Sequence, residues 1–465
     1  MVFSSAIFLL LFLPVVFVVN YFIQRFRIKI SNVWLLFASW FFYAWGEPFF
    51  VFLMIALIII NWLVGKAIEK SEGNRKKVIL AVGILCDLGV LGYYKYTGFI
   101  ISIVNNLFRK EMLVDPKIVL PIGISFFTFQ AISYIVDVYR GSGASQKFIN
   151  VALYISFFPQ LIAGPIIKWK DINKQIENRR ITELGLETGF KRFVYGLGKK
   201  VLISNVLGQC VDTIYAYDIN LLDGRAAWLG ALAYTFQLYY DFSGYSDMAC
   251  GLGKMFGFNF PENFNYPYLS KSISEFWRRW HITLGSWFKE YVYIPLGGNR
   301  KGTIKTYINL LIVFFLTGLW HGASMSFVIW GLYHGFFSVI ERLRFSKVLE
   351  KSRIVSAIYC FMVVNFGWVI FRANNMSVAL RYILRMIIPW HYKASMAPWN
   401  YMDYKTIFVI ICAVIGIGFL KSFPRKWIDA WNGSVVESMY CFVLLILSLA
   451  SIASNTYNPF IYFQF

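Results

Sequence analysis

Apolar positions in this chain fall in long, uninterrupted runs, without the strict alternation of a half-buried strand or the narrow stripe of a surface helix. A bilayer core takes about 20 apolar residues per helix, fewer where pieces are short or re-entrant inside a bundle. By that measure spans are predicted near 4–23, 33–46, 49–65, 78–95, 118–136, 150–167, 193–214, 226–248, 305–320, 325–341, 355–372, 405–421 and 436–453. The runs at 33–46 and 305–320 are short, so one or two pieces are half-helices or re-entrant, and the expected total is about ten to thirteen crossings. Two polar stretches, 168–200 and 251–305, interrupt the runs. No Ser/Gly-rich linker, low-complexity tract or repeat divides the chain, which predicts one membrane-embedded domain over 1–465 in an all-α polytopic fold.

Composition agrees with lipid as the solvent. Apolar residues make up 58%, aromatic residues 20% and charged residues 15%, against roughly 25% charged in a soluble domain. The 45 Lys and Arg exceed the 24 Asp and Glu by 21. These basic residues sit between apolar runs and not on one continuous face, which argues for positive-inside loops and against a nucleic-acid partner. Arg25, Arg27 and Lys29 follow the first run, and Lys66, Lys70, Arg75, Lys76 and Lys77 follow the third. Both loops are then cytosolic, the basic stretches 168–200 and 251–305 are expected to face the cytosol or lie along its interface, and the N-terminus is expected outside. Met1 to Asn20 has no basic n-region and no small-residue cleavage site, so it is expected to remain as the first membrane helix. The cysteines at 86, 210, 250, 360, 412 and 441 have neither metal-ligand spacing nor close pairing.

Four histidines occur. His321, in Leu319-Trp320-His321-Gly322-Ala323, lies between two apolar runs. An ionisable group at that depth is a functional candidate by default, and cross-helix hydrogen bonding is the alternative. His281 follows Glu275-Phe276-Trp277-Arg278-Arg279-Trp280, where helical spacing puts Trp277 and Arg278 on the imidazole's face. Tryptophans beside arginines suit a helix lying at the headgroups; the other reading delivers His281 inward to a reaction centre. His334 shares a helical face with Trp330, between flanking glycines that suit a tight crossing. His391 falls in a loop.

Two further constellations carry polar chemistry. Leu296-Gly297-Gly298-Asn299-Arg300-Lys301-Gly302 is a basic glycine turn, able to cradle phosphate through backbone N–H groups and nearby cations, or simply a cytosolic turn. Tyr240-Asp241-Phe242-Ser243-Gly244-Tyr245-Ser246-Asp247 sets two carboxylates beside hydroxyls; Asp241 and Tyr245 can share a helix face, and the group either shapes a loop or binds a sugar. No P-loop, dinucleotide glycine pattern, zinc spacing or Gly-x-Ser-x-Gly elbow is present, which leaves histidine to carry any catalysis.

Taken together, Trp320-His321-Gly322, the 275–281 run, Tyr293 to Arg300, Asp241 to Asp247, Phe158-Pro159-Gln160-Leu161-Ile162-Ala163-Gly164-Pro165 and the closing Asn458-Pro459-Phe460-Ile461-Tyr462-Phe463 resemble the membrane-bound O-acyltransferase family, in particular its alginate O-acetyltransferase subgroup. The resemblance runs over nearly the whole chain. It implies a ring of tilted helices around a thin central floor with an outward funnel, in a bacterial cytoplasmic membrane. It implies that His321 is the catalytic histidine, with His281 a second one, and that His334 occupies a recurrent place in the subgroup. It also implies the task of moving an acyl group, usually acetyl, from a cytosolic thioester onto an extracytoplasmic polysaccharide, commonly completed by an exported esterase-like acetyltransferase partner. The donor is a co-substrate, acetyl-CoA or an acyl carrier protein thioester, and no tightly bound cofactor is expected. Arg300, Lys301 and Arg278 are candidates for the donor's phosphates, and Trp320 and Asp241 are further site candidates. D-alanyl transfer to teichoic acid from a carrier protein is the alternative acyl cargo. A transporter or a scaffold of a polysaccharide-export complex is the rival class, although a transporter's interrupted helices at matching positions in two halves are not found.

Overall fold

A computed structural model describes the chain except residues 146, 346–348, 389–401, 419–430, 432, 455–456, 460 and 462–465. His391 lies outside the described residues. Among those described, all regular structure is helical. Helices of 18 residues or more that are apolar enough to cross a membrane are α1 (Phe8–Phe26), α3 (Phe50–Glu69), α4 (Gly73–Phe108), α14 (Thr303–His321), α16 (Arg353–Arg372) and α19 (Val435–Ser454), and α2 (Ile28–Ala44), α5 (Ile124–Tyr139) and α18 (Tyr404–Gly416) are shorter apolar helices. The remainder are α6 (Phe148–Ser156), α7 (Phe158–Leu161), α8 (Trp169–Asn178), α9 (Glu183–Gly198), α10 (Asn205–Ala216), α11 (Gly224–Met255), α12 (Ile273–Arg279), α13 (Ile282–Phe288), α15 (Met325–Ile340) and α17 (Met376–Ile387).

The chain forms two compact units, one of Met1–Phe193 with Met248–Pro261, the other of Val194–Asp247 with Glu262–Phe465. In the first, Phe3, Phe8, Phe12, Phe42 and Phe158 interlock. Buried Arg179 fastens its polar side, donating to Asn32 Oδ1 at 2.6 Å, Ser31 Oγ at 3.1 Å and the Phe256 carbonyl at 3.2 Å, with its guanidinium over the Phe258 ring. Each acceptor satisfies a donor that would otherwise be buried unmet.

Several expected spans are corrected here. The run 150–167 is not one helix. Pro159 has no N–H to donate and its ring would meet the carbonyl four residues back, so α6 stops at Ser156 and Phe157 turns out of helical conformation (ψ 116°). The run 118–136 becomes helical only at Ile124, after Pro116, Pro121 and a left-handed Gly123 (φ 76°). Conversely 78–95 continues to Phe108, because Lys95 is buried within it and donates to Ser125 Oγ at 3.1 Å. The polar stretch 168–200 holds α8 and α9, and the span near 193–214 starts earlier, at Glu183. Helix α17 was not anticipated. It buries Ala379, Tyr382, Arg385 and Met386 and leaves Leu380, Leu384 and Ile387 exposed, so it is amphipathic and not continuously apolar.

In the second unit α14 and α15 make a hairpin joined by residues 322–324. Their backbones touch: a Cβ on Gly331 would collide with the Phe314 carbonyl, and one on Gly318 with that of Phe327. Small residues permit this approach, as is usual for helices packed in lipid.

Candidate active site

His321 is the last residue of α14, and Gly322 beyond it is extended (φ −170°). Gly322 packs against the Phe327 ring, where any side chain would overlap. The His321 ring, 4% exposed, sits with its centroid 4.9 Å from Trp320, 5.0 Å from Trp330 and 5.4 Å from Phe371.

His281 arrives by a different route from the one its spacing suggested. Helix α12 ends at Arg279; Trp280 is extended and His281 takes left-handed dihedrals (φ 45°, ψ 52°) before α13 begins. The helical face supposed to join Trp277, Arg278 and His281 therefore does not exist, since the helical repeat stops two residues short. A non-glycine residue in that conformation is strained, and such strain concentrates at functional sites. Backbone bonds from Asn265 N to the Arg279 carbonyl (2.9 Å) and from Ile282 N to the Asn263 carbonyl (3.0 Å) hold the bend. The start of α12 is capped by Ser272, whose hydroxyl accepts from Glu275 N, and by buried Glu341, whose two oxygens accept from Ile273 N and Ser274 N at 2.6 and 3.1 Å. Sequence reading missed Glu341, which acts on α12 from the helical segment that follows α15, 67 and 68 positions from its two partners.

The bend turns His281 inward. It is 1% exposed, edge-on to Phe242 at 4.6 Å and 5.9 Å from Trp320. Burial pushes the His281 imidazole far below its ordinary range, to about 3, so it is neutral. Nδ1 lies 3.1 Å from Asn263 Oδ1.

His334 extends the group. Its ring centroid is 5.2 Å from Trp330, 5.0 Å from Trp277 and 6.3 Å from Trp368, and it fits against α16 only because residue 367 is glycine, where a Cβ would stand 2.6 Å from Nε2. Among the described residues neither nitrogen of His334 nor the indole nitrogens of Trp277 and Trp330 has a hydrogen-bond partner. The three histidines thus form a row with indoles between them: His281, Trp320, His321, Trp330, His334. Such a row sets imidazoles, groups able to accept and pass on a proton, among aromatic rings.

The other candidates stand apart from the row. Asp241 lies within α11, not in a loop, and is ion-paired with Lys200 at 2.6 Å with both side chains buried; it also accepts from Ile461 N at 3.0 Å. Its bonds are those of a structural anchor. Arg278 is exposed on α12, and Arg279 pairs with Glu275. Arg300 and Lys301 are exposed in a turn where Gly297, Gly298 and Gly302 all have positive φ. The turn's amides at 296, 297 and 298 bond to the carbonyls of Val292, Ile294 and Tyr293 just before it, and that of Arg300 to the Gly297 carbonyl. Among the described residues no three His, Cys, Asp or Glu side chains gather as metal ligands.

Residues 137–380 match the model of the membrane-bound O-acyltransferase family. The chain is 41% identical to the probable alginate O-acetylase AlgI of Pseudomonas putida, with all of both chains covered. It is 38% identical to the peptidoglycan O-acetyltransferase of Helicobacter pylori over 83% of this chain and 80% of that one. With the teichoic acid D-alanyltransferase of Bacillus subtilis it shares 30% over 54% of this chain and 68% of the other. Together with an all-helical, multi-span architecture and a buried histidine at the tip of the α14–α15 hairpin, these matches establish that the chain belongs to the membrane-bound O-acyltransferase family.

Proposed function

We propose that the chain transfers an acetyl group from a cytosolic thioester, acetyl-CoA or an acyl carrier protein thioester, toward the hydroxyls of an extracytoplasmic polysaccharide, working with an exported esterase-like partner. The observation that carries the mechanism is the burial of His321 and His281 against the same Trp320 indole. A thioester is already activated, so what is required is a base for the incoming hydroxyl, placement, and stabilisation of the oxyanion. The hydroxyl oxygen attacks the acyl carbon while His321 takes its proton; the new C–O bond forms, the C–S bond breaks, and the proton passes to the departing sulfur to give the thiol. His281 orients the thioester or assists that proton path.

Donor phosphates meet Arg300 and Lys301, with Arg278 nearby in sequence on the same cytosolic segment, and the donor enters from the inner face toward a thin floor. The basic loops at 66–77 and 251–302 favour this orientation, with the N-terminus outside. Cysteines placed at positions 73 and 299 (Gly73→Cys, Asn299→Cys) should resist an impermeant maleimide in intact bacteria and react after the membrane is opened. Strong labelling from outside reverses the direction of transfer.

The cargo is tested by feeding cells labelled acetate or labelled D-alanine. Base-labile acetate on surface polysaccharide is the expected result, and D-alanine esters in its place would select the carrier-fed alternative. In membranes from the same cells, Arg300→Gln with Lys301→Gln should raise the apparent Michaelis constant for acetyl-CoA and leave the maximal rate intact, because binding shared by ground and transition states is lost.

A further inference from the structure

Asn263 Oδ1 is the common acceptor of three groups. The backbone N–H of Thr283 approaches it at 3.2 Å, the Thr283 hydroxyl at 2.9 Å and His281 Nδ1 at 3.1 Å. The first of these settles the other assignments. A backbone N–H can only donate, so the amide atom facing it must be oxygen; exchanging the two ends of the amide would aim NH2 at N–H. With oxygen there, the ring nitrogen beside it must carry the proton, because a carbonyl oxygen only accepts. In a neutral imidazole the proton on Nδ1 leaves the lone pair on Nε2. The arrangement is kept although Asn263 Nδ2, buried with the rest of the side chain at 1% exposure, has no hydrogen-bond partner among the described residues.

Resting on the acyl-transfer reading above, we infer that Asn263 is a positioning residue which, oriented by Thr283, locks His281 in the Nδ1–H tautomer and so makes Nε2 its proton-accepting atom. This decides between the two roles open to His281. A nitrogen bearing only a lone pair cannot donate to the thioester carbonyl or its oxyanion; it can accept the hydroxyl proton or receive it from His321 and pass it on to sulfur. His281 belongs to the proton path. The left-handed bend at 281 serves the same end, since the bond from Ile282 N to the Asn263 carbonyl sets the asparagine opposite the ring.

The test is run on the full chain in detergent, labelled with 15N-histidine. Four imidazoles are present, and the His281 signals are those missing from His281→Gln. Wild type should show its proton on Nδ1. In Asn263→Leu, and in Asn263→Ala run beside it because it adds no bulk, the proton should move toward Nε2, while kcat with acetyl-CoA as donor falls about 10²-fold and the donor KM stays within about twofold. Asn263→Asp retains an acceptor for all three donors and should keep both the Nδ1–H signature and a rate within about fivefold of wild type. Wild-type kcat in Asn263→Leu, or a fallen kcat with His281 still protonated on Nδ1, overturns the inference. Full activity of His281→Gln overturns the role through the proton path, and the spectra report the tautomer independently of whether acetyl-CoA is the donor.

Discussion

His321→Gln should bring ester formation down by about 10²- to 10⁴-fold, the usual worth of a general base, while the protein still inserts and accumulates. Glutamine has nearly the volume of histidine, so the space bounded by Trp320, Trp330 and Phe371 stays filled; His321→Ala should be as inactive but leaves a gap beside three rings. The fold does not depend on the imidazole, because α14 is held to α15 by backbone contact at Gly318 and Gly331. The measurement is acetyl ester released from surface polymer, normalised to the amount of the chain in membranes. Wild-type ester levels from the glutamine variant would reduce His321 to a packing residue and remove the base from the mechanism.

Lys200→Met should be the most destabilising single change in the second unit. Lys200 and Asp241 are 4% and 1% exposed and 2.6 Å apart, and the lysine also donates to the Pro459 carbonyl. Removing one member of a buried pair strands the other charge without its counter-ion, an effect of about 3–5 kcal/mol. Restoring neutrality should recover most of it: Lys200→Met with Asp241→Asn is expected to melt well above Lys200→Met alone, since the amide oxygen can still accept from Ile461 N. Thermal denaturation in detergent reads both. Equal midpoints for the single and double variants would show that the carboxylate is not stranded, and the pair would then be incidental to stability.

The long apolar helices were legible because in lipid the hydrocarbon thickness selects them by length and composition alone. His321 was legible for the same reason, as an imidazole set between two such runs. What sequence could not supply was decided by backbone conformation and distant partners. His281 seemed to share a face with Trp277 and Arg278, and only the stop of α12 at Arg279 and the left-handed turn break that periodicity. Asn263 sits 18 residues before the ring it meets, and no periodicity links the two. For Asp241 the sequence left a loop-shaping and a sugar-binding reading open, because its partner Lys200 lies 41 positions earlier, on another helical segment. In α17, Leu380, Leu384 and Ile387 face outward, and their spacing is visible only once a helix half in lipid is considered.

The hairpin of α14 and α15 also has a bearing on the order in which the site is made. Its arms are joined by residues 322–324, and its closest contacts, Gly318 with Phe327 and Gly331 with Phe314, lie within 17 positions of one another along the chain. Loop closure over so short a span is entropically mild, and contacts of low sequence separation form early. During synthesis the hairpin can close as soon as α15 is made, before α16 and the C-terminal helices exist. His321 would then already be at its tip beside Trp320 and Trp330, and Phe371 would arrive later against an imidazole whose backbone is fixed. His321, the base of the proposed mechanism, is in this sense an early product of assembly, and slow or faulty insertion of α16 and the helices after it should yield a protein that has this imidazole in place and lacks the Phe371 wall against it.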